Sequence, residues 1–237
     1  MVAVPGGAWQ PIFEGTEKPP VRVEPFYLDR DPVTNQQFLG FVRVFFNYRR
    51  NYISKLFADE AYLVHWAGPT ELGAVRSDQP VTNVSWFAAR AYCTARGARL
   101  PAEAEWEYAA SAGEKQADGA NEPGFADKIL SWYAQPAPNV LPTVGRSRPN
   151  YFGVRDLHGL VWEWVLDFNG TLLTSDSRTA KGSDVQAFCG AGAFGFRDSR
   201  NYAAFMRAAF RSSLSANYTA RSLGFRCARD GGPGGEG

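Results

Sequence analysis

The sequence predicts an α+β domain in which a few short helices and short strands are joined by long irregular segments. Three observations lead to that class. Helical apolar spacing with capping signals occurs only in the first half of the chain. Short alternating or branched runs occur towards both ends, and 24 Gly with 15 Pro punctuate the 237 residues.

Taken in order, residues 2–8 (VAVPGGA) read as a short apolar strand broken by Pro5-Gly6-Gly7. Residues 21–28 (VRVEPFYL) alternate as a half-buried strand does, with Pro25 marking an edge or bulge. Thr34 and Gln37 have capping-box spacing. Phe38, Phe41, Val42 and Phe45 follow at i, i+3, i+4, i+7, so a helix turns that face to the core. Ser85 caps a second helix over residues 86–96, stopped by Gly97. Pro101 opens a third, through residue 112, with Glu103, Glu105 and Glu107 early, where the helix dipole favours anions. Residues 114–148 lack periodicity and read as a long surface loop. From residue 151 on, short strands are expected at 161–165, 187–196, 202–214 and 224–228. With no internal repeat and no linker, residues 1–230 form one domain, and the glycine-rich tail 231–237 is expected to be disordered.

Composition excludes several partners. The net charge of +1 gives no reason to expect nucleic acid. Residues 47–73 do interleave Tyr48, Tyr52, Phe57, Tyr62 and Trp66 with Arg49, Arg50 and Lys55. Without a basic balance this reads as a packed insertion with solvated arginines. His65 has no histidine or cysteine near it in sequence and is assigned a structural role. No run approaches the ~18 apolar residues of a membrane span, so membrane insertion is not expected. No signal peptide is visible, though a chain with its leader removed would read the same: periplasmic or secreted in that case, cytoplasmic otherwise.

Six motifs, in order, carry a resemblance: VPGGAW, VEPFYLDRDPVTNQQF, PVTNVSWFAARAYC, GARLPAEAEWEYAA, LHGLVWEW and LGFRCAR. Across residues 2–229 the chain resembles the formylglycine-generating enzymes, or sulfatase-modifying factors. The resemblance implies an α+β domain of low periodicity related to the C-type lectin fold. It does not imply one chemistry. The family holds oxidases that use a cysteine pair and copper, iron-dependent sulfoxide synthases, and accessory or ligand-display proteins, so activity has to be read from the site.

Anchoring on Arg207 and Arg211, which match a paired-arginine pattern in the oxidases, puts the catalytic cysteine positions near Asp198 and Ala203. Copper(I) needs soft thiolates that these residues cannot supply, so formylglycine generation is not expected. Iron of the sulfoxide-synthase type needs a histidine set, whereas the chain has only His65 and His158. The resemblance implies a calcium site at Asp156, Gly159, Val161 and Glu163, which offers hard oxygen donors; the alternative is that both carboxylates cap turns and pair with arginine. It also pairs Cys93 with Cys227, against two buried thiols in a reducing compartment. Cys189 is left over as a buried thiol or a candidate reactive one. Glu103 and Glu107 share a helix face opposite Glu105, which suits separate arginine or backbone partners better than acid–base catalysis. The function expected is an accessory or ligand-binding module for a protein or peptide, in maturation of a redox enzyme. A groove beside residues 189–211, with Arg197, Arg200, Tyr202, Arg207 and Arg211, would grip the partner. The alternatives are a metal-dependent oxidoreductase using Cys189 and a lectin-like display protein.

Overall fold

Strand pairing in the computed structural model begins at the N-terminus and returns to it from the far end of the chain. The structure describes residues 1–10, 19–136, 138–168 and 199–231, with side chains 199–202 excepted. β1 (Val2–Val4), β4 (Phe26–Leu28) and β7 (Ala228–Asp230) form an antiparallel sheet in the order β1-β4-β7. Its registers set Val4 against Phe26 and Leu28 against Ala228. β2 (Gly7–Trp9) pairs with β3 (Val21–Val23), and β5 (Trp162–Glu163) runs parallel to β6 (Leu223–Gly224).

The expected strand over residues 21–28 is thus two strands in different sheets. Pro25 has no N–H to donate to a continuous ladder, and the break falls at Glu24 and Pro25. Gly6 makes the matching turn at φ +74, where an added Cβ would lie 2.3 Å from the Val23 carbonyl oxygen. The expected strand over 224–228 is likewise divided between β6 and β7.

The three expected helices are present: α1 (Asn35–Val44), α2 (Trp86–Ala95) and α3 (Glu103–Ala110). Thr34 Oγ1 accepts from the Gln37 amide at 3.2 Å, and Gln37 Oε1 accepts from the Thr34 amide at 2.9 Å. Ser85 Oγ accepts from the Ala88 amide, and Gly97 follows α2 at φ +63. At the start of α3, Ala102 has no side chain able to cap. Glu105 folds back to accept from the Ala102 amide, and Asp167, distant in sequence, accepts from the Glu103 amide at 2.7 Å.

Two segments are helical against expectation. Within the segment read as loop, residues 125–133 form a helix, α4 (Phe125–Tyr133), entered through Gly124 at φ +76. The run read as a strand at 202–214 lies mostly in a fourteen-residue helix, α5 (Ser199–Ser212), packed on α4. The reason is periodicity: Ala203, Arg207, Ala208 and Arg211 are buried, a helical and not an alternating pattern. The strand expected at 187–196 and tail residues 232–237 lie outside the described residues.

One apolar core joins these units, with Phe38, Tyr92 and Phe225 in mutual ring contact at 5.3 to 6.0 Å. Insertion 47–73 is held by its arginines, which are not simply solvated. Arg50 donates to the carbonyls of Leu63, Val64, Trp66 and Ala67, and Arg49 to those of Val42 and Arg43. His65 is half-buried beside Trp66, and burial with the nearby Arg50 charge lowers it to about 4.

Cys93 on α2 is bonded to Cys227 just before β7, a sequence separation of 134. Closing a loop of that length contributes about 5 kcal/mol in the chain-entropy model. Denaturant unfolding of Cys93→Ser/Cys227→Ser against the oxidised wild type should show a loss of that order. Equal midpoints would mean the bridge adds nothing to stability.

Candidate functional site

α3 and α5 face each other through four charged side chains. Arg207 donates to Glu107 from Nε (2.8 Å) and Nη2 (2.6 Å). Arg211 Nη1 donates to Glu107 at 2.6 Å and to Glu103 at 3.1 Å. Both guanidinium groups lie over the Trp106 ring, 5.6 and 4.8 Å from its centroid, and Arg207 also reaches the Tyr133 hydroxyl at 3.3 Å. Burial pushes the Glu107 carboxyl up. The charges and hydrogen bonds of Arg207 and Arg211 outweigh it and bring the group down to about 2.

Glu105, on the opposite face, pairs with Arg99 at 2.6 Å. The three carboxylates of α3 are therefore occupied by arginines and a backbone amide. Arg207 and Arg211, drawn from the sequence as groove residues, face inward: their side chains are 9% and 5% exposed. The sequence did hold the signal, since arginines four apart meet glutamates four apart only if both segments are helical. Arg200 and Tyr202 fall on the first turn of α5, with their side chains outside the described residues; Arg197 and Cys189 lie wholly outside them.

A second buried pair stands behind the first. Glu163, on β5, accepts from Arg226 Nε at 2.7 Å and Nη2 at 2.8 Å, and from Trp106 Nε1 at 2.7 Å. Neither side chain of the Glu163–Arg226 pair is exposed. Asp156 adopts φ +58 and accepts from the amides of Gly145 and Ser147. Gly159 turns at φ +100, and Val161 is buried next to β5. The two carboxylates of the expected calcium set thus already have protein donors, one of them an arginine. Among the described residues, no group of three or more His, Cys, Asp or Glu is placed to hold a metal. His158 is also engaged: Nε2 lies 2.8 Å from the Ala110 carbonyl, and burial with the Arg207 charge lowers the ring to about 4.

An aromatic wall flanks the cluster. The Trp162 and Phe210 rings are 4.4 Å apart between centroids, and Trp132 and Tyr133 lie within 5.5 Å of Trp162. Trp132 and Tyr133 were not singled out from sequence because α4 was read as loop. Their 125, 129, 132, 133 spacing was the available signal.

The profile of the sulfatase-modifying factor enzyme 1-like domain matches residues 1–231. The chain belongs to this sulfatase-modifying factor family. It is 31% identical to the inactive C-alpha-formylglycine-generating enzyme 2 of Bos taurus, over 98% of this chain and 88% of that one. It is 32% identical to the formylglycine-generating enzyme of Streptomyces coelicolor, over 89% and 80%. The crystal structure of CarF superposes with a TM-score of 0.51 over 97% of both chains at 18% identity, a likeness of fold.

Identity is nearly equal to relatives described as active and as inactive, so the family alone does not decide activity. The cysteines do. A sulfatase-modifying factor with three cysteines, two of them bonded to each other across 134 residues, has no closely spaced pair. Ala203, near which the resemblance puts one cysteine position, is buried on α5. The chain resembles the inactive paralogs in lacking that pair.

The ion cluster generates a pH dependence. Glu107 falls from an ordinary 4.5 to about 2 on folding, so its contribution is present above pH 4.5 and is lost as pH falls towards 2. That shift corresponds to about 3 kcal/mol. Glu107→Gln should lose about 3–5 kcal/mol at pH 7, because two buried guanidinium groups lose their counter-charge. Thermal unfolding from pH 5 to 2 should be flatter in the variant than in the wild type. Parallel curves would mean the cluster does not hold α5 on α3.

Proposed function

We propose that this domain keeps the sulfatase-modifying scaffold but works without its oxidase chemistry, as an accessory or ligand-binding module. One observation carries the reading: Cys93 and Cys227 are joined in a buried bridge, so Cys189 has no second thiol in the chain to share copper or exchange a disulfide. The likeness to the Bos taurus inactive paralog points the same way. The ion pairs of α3, α5 and β5 support it too, since they engage the carboxylates that acid–base or metal chemistry would need.

In this reading the partner is a protein or peptide, and maturation of a redox enzyme is the setting that fits an accessory member. The partner would approach from the aromatic wall of Trp132, Trp162 and Phe210 at the outer side of α5. Arg207 and Arg211 would set the position of that helix and would not touch the partner. The relation to the C-type lectin fold rests on the resemblance alone and adds no residue to the site.

The test is direct. Purified protein, oxidised and reduced, is given copper and oxygen with a cysteine peptide of the kind that formylglycine-generating enzymes oxidise. We expect substoichiometric copper and no aldehyde above the blank. Stoichiometric copper that is lost on Cys189→Ser, or aldehyde formed in its presence, would overturn the reading.

A further inference from the structure

The first turn of α4 and segments 110–116 and 147–158, His158 among them, line an open cavity of about 590 Å³. That is the size of a small-molecule site. Its lining is more apolar than polar, with Phe125, Ile129 and Leu157 among its walls. The charged groups are three cations, Lys115, Lys128 and Arg148, and three carboxylates, Glu114, Glu122 and Asp156. Formal charge therefore balances. Hydrogen-bonding capacity does not.

The acceptors are already engaged. Glu122 takes the amides of Glu114 (3.0 Å), Lys115 (2.6 Å) and Gln116 (2.8 Å). Asp156 takes those of Gly145 and Ser147. Glu114 has one oxygen on Lys128 at 3.0 Å and the other facing Arg148 at 3.6 Å. The donors have capacity left. The Lys115 ammonium makes no hydrogen bond among the described residues, Lys128 uses one of its three N–H groups, and Arg148 is beyond hydrogen-bond distance of Glu114. A ligand that fits must bring acceptors to this rim and apolar surface to the interior.

We infer that this cavity binds an amphipathic organic acid, its apolar body among Phe125, Ile129 and Leu157 and its carboxylate on Lys115, Lys128 and Arg148. The acid displaces Glu114 from the two cations that Glu114 now holds. Fatty acids and the C-terminal carboxylate of an apolar peptide share this chemistry. The inference stands apart from the accessory reading, since it uses none of the cysteines and none of the α5 residues.

Calorimetric titration with decanoate, decanol and decyltrimethylammonium varies the head group on one tail, and N-acetyl-leucyl-phenylalanine tests the peptide source. We expect at least one of the two acids to bind. For decanoate this means at least ten-fold tighter binding than decanol, with no saturable binding of the cation. Glu114→Gln, an exposed change that leaves the fold alone, should tighten acid binding several-fold. Lys128→Glu/Arg148→Glu should weaken it at least ten-fold at an unchanged melting temperature, and Ile129→Trp should abolish it by filling the cavity. Failure of both acids to bind overturns the inference. So do equal affinities for the three head groups, or acid binding that survives both the charge reversal and Ile129→Trp.

Discussion

The carboxylate of Glu163 and the guanidinium of Arg226 meet with neither side chain exposed to solvent, and the two ends of the chain depend on that meeting. An arginine removed from water has five N–H groups to satisfy. Here two go to Glu163, two to the carbonyls of Asp29 and Arg30, and one to that of Arg155. Glu163 in turn fixes the Trp106 indole. One buried cation therefore joins the exit of β4, segment 155–163, α3 and the segment leading into β7. Such a pair adds little over an apolar replacement, yet removing one partner costs about 3–5 kcal/mol, because the other charge stays buried.

Trp106 links this pair to the second cluster. Its indole N–H is held by Glu163, while its ring face carries Arg207 and Arg211. Those arginines bring α5 onto α3 through Glu103 and Glu107. Three glutamates that would attract attention as catalytic or metal-binding groups are thus the counter-charges of buried arginines. Cys93 and Cys227, the ends of a bridge that crosses the domain, are bonded to each other and are not free thiols.

Much of this was legible because capping and apolar spacing are local signals. Thr34 with Gln37, Ser85 with Gly97 and the acidic first turn of α3 mark helices that tertiary contacts do not override. The partition of Glu103 and Glu107 from Glu105 followed from helix geometry alone. What was missed has physical reasons. The α4 segment lies among glycines and prolines that mask its apolar spacing, and α5 carries arginines on its buried face, where a reader looks for apolar residues. The arginines of the 47–73 insertion read as solvated because carbonyl cages leave no pattern in sequence. Pro25 was read as an edge or bulge within one strand, because that its two sides join different sheets is a long-range outcome.

The account rests on Arg226, and not a metal ion, answering the charge of Glu163. Thermal unfolding of the wild type and of Glu163→Gln, each in millimolar calcium and in a chelator, tests this most directly. The wild type should unfold at the same temperature in both, and Glu163→Gln should be less stable by about 3 kcal/mol or more in both. A calcium-induced rise in the wild-type midpoint that disappears in Glu163→Gln and in Asp156→Asn would contradict it.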